Sequence, residues 1–117
     1  MANPNIVNVA TINAGVAYSS PANTTAFYIL TNAASSGQVY KINNVVVANG
    51  TGSAATSNVF INSAAAGGGT NYPIVGGVSV PANASLVAVD KSSSIYLTEN
   101  TSLVVQSGTS SSLTFTI

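Results

Sequence analysis

Short runs of β-branched and aromatic residues, each cut off by a cluster of turn-formers, most limit what this chain can become. The runs are NIVNVATI (5–12), TAFYILT (25–31), QVYKINNVVVAN (38–49), SNVFIN (57–62), PIVGGVSV (73–80), SLVAVD (85–90), SIYL (94–97), TSLVVQS (101–107) and SLTFTI (112–117). Between them stand SSPANT, NAASSG, NGTG, AAAGGGTN, VPAN, KSS, TEN and SGTSS. Val, Ile, Thr and aromatic side chains suit a pleated backbone, whereas Gly, Pro, Asn and Ser supply turn geometry. Helical periodicity is missing and strong helix formers are scarce. Strands recurring at roughly 8–12 residues predict an all-β, antiparallel, jelly-roll-like β-sandwich of about eight short strands. The chain reads as one domain, 1–117, in which residues 1–12 are either a core strand or an extended N-terminal arm.

Punctuation inside the runs agrees with that reading. Pro21 and Pro81 fall in turns, and Pro73 opens a strand, where a missing N–H is tolerated. The Gly76–Gly77 pair interrupts a strand and predicts a bulge or bend. Gly67–Gly69 reads as a flexible loop tip that tolerates insertion.

Charge is the anomaly. The 117 residues hold two basic and two acidic side chains, 3% of the chain, against about 25% in ordinary domains. The hydrophobic fraction of 46% nevertheless supports a core and argues against disorder. Two lysines cannot build a phosphate-binding surface, so nucleic acid is not an expected partner. Nor is a membrane: the basic patch for an anionic surface is lacking, and no apolar run approaches spanning length. A surface without net charge has no self-repulsion, which suits crowding beside copies of itself or a fixed partner. The N-terminus, MANPNIVNVATINAG, lacks the basic and apolar regions of a signal peptide, so a soluble chain without classical export is expected.

Candidate chemistry is thin. Without His or Cys there is no Ser–His or Cys–His nucleophile pair, and a Ser–Lys pair through Lys41 or Lys91 has no supporting motif. Asp90 and Glu99 are the only carboxylates for an acid–base pair or a cation, and they fall near turns of one apparent hairpin. GGGTNY (67–72) lacks the Lys–Ser/Thr of a phosphate loop. Asn-x-Ser/Thr triplets at Asn23, Asn49, Asn83 and Asn100 are what so much Asn, Ser and Thr produces by chance. The single T-x-T of LTFTI (113–117) does not make the repeated array an ice-binding face needs. No enzyme, cofactor or metal site is therefore expected.

Three of the four charges lie in DKSSSIYLTEN (90–100). With SLVAVD and SIYL as consecutive strands, Asp90 and Lys91 form a charged turn and Glu99 another. Charges at such places keep strand edges from pairing promiscuously. Lys41 is the fourth. In VYKINNVVVA, apolar residues on both parities suggest a central strand, and an inward Lys41 would need a carboxylate. A Lys41–Glu99 pair fixing the register of two strands is the resulting expectation.

Two segments, GQVYKINNVVVANGTG (37–52) and VSVPANASLVAVDKSSSIYLTENTSLVV (78–105), resemble small virion structural proteins of tailed bacteriophages. Those proteins share a G-x-V-Y-K strand, a V-P-A-[N/D]-x-[S/T]-L strand start, a K-x-x-x-I-Y-L hairpin and an acidic turn. Here these fall on Gly37, Val39, Tyr40, Lys41 and Asn43, then Val80–Leu86, Lys91, Ile95–Leu97 and Glu99. The acidic turn of such proteins often reads E-x-G-D, where this chain has Glu99–Asn100–Thr101. A basic residue often follows where this chain has Val104, so their charged surface is not carried over.

The resemblance implies a non-enzymatic virion component. Its place would be the capsid exterior, as a decoration or cement protein bound to the major capsid protein and to copies of itself as a trimer. A neck or tail adaptor is the alternative. A carbohydrate-binding adhesive module is a third reading, for which Tyr18 and Tyr72 are the only aromatics expected in loops.

Overall fold

The computed structural model describes residues 15–19, 24–65, 68–90, 92, 95–108 and 113–117. Ten strands are found there: β1 (Tyr18–Ser19), β2 (Phe27–Asn32), β3 (Tyr40–Ile42), β4 (Val45–Asn49), β5 (Ala55–Asn62), β6 (Asn71–Val80), β7 (Ala84–Val89), β8 (Ile95–Leu97), β9 (Thr101–Ser107) and β10 (Leu113–Thr116). The expected strand or arm over 1–12 lies outside the described residues.

The strands form two four-stranded sheets, ordered β1-β10-β4-β7 and β2-β9-β5-β6, and a two-stranded ribbon, β3-β8. Every pairing is antiparallel. The first strand pairs with the last, the second with the second-last, and so inward to β5 with β6. The chain is thus one long folded ribbon, wrapped until β10 also meets β4 and β9 meets β5. That wrap is a jelly-roll β-sandwich.

The two inner faces supply the core. Val45, Val47, Val89, Leu113 and Phe115 of the first sheet are buried with Ala55, Val59, Val75, Val80, Leu103 and Val105 of the second. Each fully buried Val, Leu or Phe contributes about 1.5–3 kcal/mol. In β4 and β10 alternation then turns the intervening residues away from the core, whereas in β9 the four consecutive residues Ser102 to Val105 are all buried.

The run 38–49 is two strands rather than one. Ile42 is buried in β3 and Val45 in β4, three positions apart, so the inward parity switches across the exposed Asn43–Asn44. Apolar residues on both parities came from that switch, not from a strand covered on both sides. The apparent hairpin of SLVAVD with SIYL is also absent: β7 pairs with β4, and β8 pairs with β3.

The glycine pair does form a bulge. Register shifts between Ser57 and Asn58 opposite β6, and Gly77 sits there at φ +72°, a backbone region that β-branched or bulky residues avoid. Asn58 Oδ1 accepts from the Gly77 N–H at 2.7 Å. Pro73 lies within β6, an edge strand that leaves its missing N–H harmless. By contrast, Gly69 is not a loose tip. Asn62 Oδ1 accepts from its N–H at 2.8 Å, and a Cβ there would collide with Ser63 Oγ.

Candidate functional site

Three features could meet a partner: the charged end of the sandwich and the outer faces of its two sheets. The end is built by the connections leaving β2, β5 and β7. Asn32 Nδ2 donates to the carbonyls of Gln38 and Leu97, and Asn100 Oδ1 accepts from the Ala65 N–H. Ser102 Oγ donates to the Ala64 carbonyl at 2.8 Å. These bonds gather segments far apart in sequence.

Lys41, Asp90 and Glu99 all lie at this end. Val89 pairs with Val45, which places Asp90 beside the turn that enters β4. Asp90 is exposed, and its Oδ1 accepts from the N–H and hydroxyl of Ser92 at 3.0 and 2.6 Å. Asp90 is thus a turn-closing side chain. Lys91, the other half of the expected charged turn, lies outside the described residues.

Glu99 occupies the turn between β8 and β9, where its Oε2 accepts from the Gly37 N–H at 3.1 Å. Lys41 does not point inward. It is exposed on β3, directly opposite Tyr96 of β8, while Ile42 takes the core side. Among the described residues no ion pair joins Lys41 to Glu99. The register of these two strands lies in the β3–β8 pairing itself, Tyr40 with Leu97 and Ile42 with Ile95. Sequence alternation misplaced Lys41 because it carried one parity through Asn43–Asn44.

Among the described residues no three His, Cys, Asp or Glu side chains group as metal ligands would. The triplet asparagines have structural work instead. Asn49 is buried, and Asn83 and Asn100 hold positive φ in turns; Asn23 lies outside the described residues.

The outer face of the first sheet is the opposite kind of surface. Register aligns Tyr18, Thr116, Val46 and Val87 in one row across β1, β10, β4 and β7. Thr114, Ala48 and Ser85 make the next outward row. Tyr18 is 75% and Val87 56% exposed, and no residue of these four strands carries a charge. Tyr18 and Tyr72, expected in loops, are on β1 and β6, at edges of different sheets. They do not combine into one platform.

Comparison of the chain with known protein families, with characterised proteins and with solved structures finds no match. The reading of what it does therefore rests on its own residues. One internal relation stands out: β3 and β8 pair Tyr40 to Leu97, Lys41 to Tyr96 and Ile42 to Ile95.

Proposed function

We propose that this chain is a non-enzymatic virion structural protein, a capsid decoration or cement protein that docks on the outside of an assembled shell. The observation that carries the reading is the uncharged outer face of the first sheet, with Tyr18, Val46 and Val87 in one row. A face of Thr, Val, Ala, Ser and Tyr has no charge to desolvate when covered, and meets a like surface without electrostatic conflict. The jelly roll does not choose the function, since the same wrap hosts lectins and capsid proteins alike. The partner we propose, from the motif resemblance to phage virion proteins, is the major capsid protein, with copies of the chain itself as trimer neighbours.

Stabilisation works by mass action. A protein that binds the closed shell and not its separated parts shifts the equilibrium toward the shell. The charged end takes no part in that contact and stays in solvent.

Quantitative mass spectrometry of purified virions tests the proposal. A copy number equal to the major capsid protein, or a simple fraction of it, is expected for shell decoration. A handful of copies per particle moves the chain to the neck or tail, and absence from particles overturns the virion reading.

A further inference from the structure

Asn49–Gly50 is the one Asn–Gly step in the chain. Such a step is chemically weak. The backbone nitrogen of the following residue can attack the Asn side-chain carbon, and a glycine there puts no Cβ in the way. The local backbone does not call for that glycine. Its φ lies outside the left-handed region, and a Cβ built on it would meet no described atom within 4 Å.

A separate observation is how firmly the fold holds the asparagine. Asn49 ends β4 between two neighbours, opposite Leu113 of β10 and Ala84 of β7, and is 2% exposed. Its Nδ2 donates to the Ser53 and Val80 carbonyls at 2.8 and 3.0 Å. Its Oδ1 accepts from the Thr51 N–H and hydroxyl at 3.0 and 2.7 Å. Both amide protons and both oxygen lone pairs are thus engaged. Closing a ring onto the Gly50 nitrogen requires the side-chain carbon to swing toward the backbone, which breaks these bonds together.

We propose that Asn49 is a self-modification site that the fold keeps shut and unfolding opens. Once the bonds to Ser53 and Val80 are lost, the Gly50 nitrogen gives its proton to hydroxide and attacks Asn49 Cγ. The new C–N bond closes a succinimide as the Cγ–Nδ2 bond breaks and ammonia leaves. Water then opens the ring at either carbonyl, leaving aspartate or isoaspartate at position 49. Either product bars the way back. An ionised aspartate offers only acceptors to two carbonyl oxygens that need donors, and it buries an unpaired charge. Isoaspartate adds a carbon to the backbone at the end of β4 and spoils its pairing. Unfolding thereby becomes irreversible. A partner that holds the chain folded lowers the open fraction and slows the reaction. The inference stands or falls apart from the virion reading.

The test incubates the whole chain at mildly alkaline pH, in native buffer and in guanidinium chloride. Peptide mass mapping and isoaspartate detection follow position 49. Modification should run at least about a hundredfold faster in denaturant, since the native chain exposes the site only through its small open fraction. Asn71, exposed and followed by Tyr72, is the internal control and should react far more slowly in denaturant. Gly50→Ala has room for its Cβ and should slow the denatured reaction about tenfold or more. On dilution from denaturant, the refolding yield should fall in step with modification, and Gly50→Ala should preserve it. Asn49→Asp, the direct product, should refold poorly or with a lowered denaturant midpoint. Equal rates in the two buffers overturn the proposal, as does an Asn49 that stays intact in denaturant. So does a refolding yield indifferent to modification, or native stability in Asn49→Asp.

Discussion

Asn49 Nδ2 donates to the carbonyl oxygen of Val80 at 3.0 Å, tying the end of β4 to the end of β6 across 31 positions of sequence. The same NH2 donates to the Ser53 carbonyl at 2.8 Å, and Oδ1 accepts from the N–H and hydroxyl of Thr51. Asn32 and Asn62 repeat the arrangement at the ends of β2 and β5, each buried and each holding the loop that follows. Short amides thereby do the work of the charged anchors this chain largely lacks.

Asn49→Ala should consequently cost about 2–4 kcal/mol, because buried backbone groups lose their partners together. Urea denaturation checks this. Asn49→Ser with a cost near zero would show that the amide carries little of the stability.

The bulge and the clamped loop make a second prediction. Gly77→Ala places a Cβ on a backbone at φ +72° and should cost roughly 1–2 kcal/mol. Gly69→Ala should destabilise through collision with Ser63 instead, and Ser63→Gly should relieve part of it. A double-mutant cycle read by thermal unfolding separates the two cases.

Lys41 and Glu99 yield a prediction of near-silence. Lys41 is exposed, so Lys41→Ala should change stability by no more than about 0.5 kcal/mol. Glu99→Gln keeps an oxygen for the Gly37 N–H and should cost under about 1 kcal/mol. A loss of several kcal/mol in either variant would reinstate a buried ion pair.

Docking through the first sheet predicts weak salt dependence. Release of the chain from particles should vary little between low and high ionic strength, since the face has no charge to screen. Val87→Asp should leave the thermal unfolding of the free chain nearly unchanged, because Val87 is exposed, yet abolish particle binding. Steep salt dependence would place the contact at the charged end.

Much of the architecture was legible because strand patterning is local. β2, β5, β6, β7, β8, β9 and β10 fall within two residues of the runs that announced them, and the Gly76–Gly77 bulge is where it was expected. β1 was missed, since two residues carry no periodicity. Lys41 was turned the wrong way because parity is inherited along a strand, and Asn43–Asn44 ended that strand without a Gly or Pro to announce it.

The sequence by itself determined an all-β chain, antiparallel strands, a neutral surface and the absence of nucleophile-and-base pairs built on His or Cys, because these depend on residue types and short-range alternation. Only the tertiary structure decided which strands pair, and hence which side chains become neighbours. First-with-last pairing collects Lys41, Asp90 and Glu99 at one end, aligns Tyr18 with Val87 across one sheet, and sets Tyr28 beside Val104 and Phe60 on the other. Such rows run perpendicular to the chain, along the hydrogen bonds between strands, so no stretch of sequence contains them.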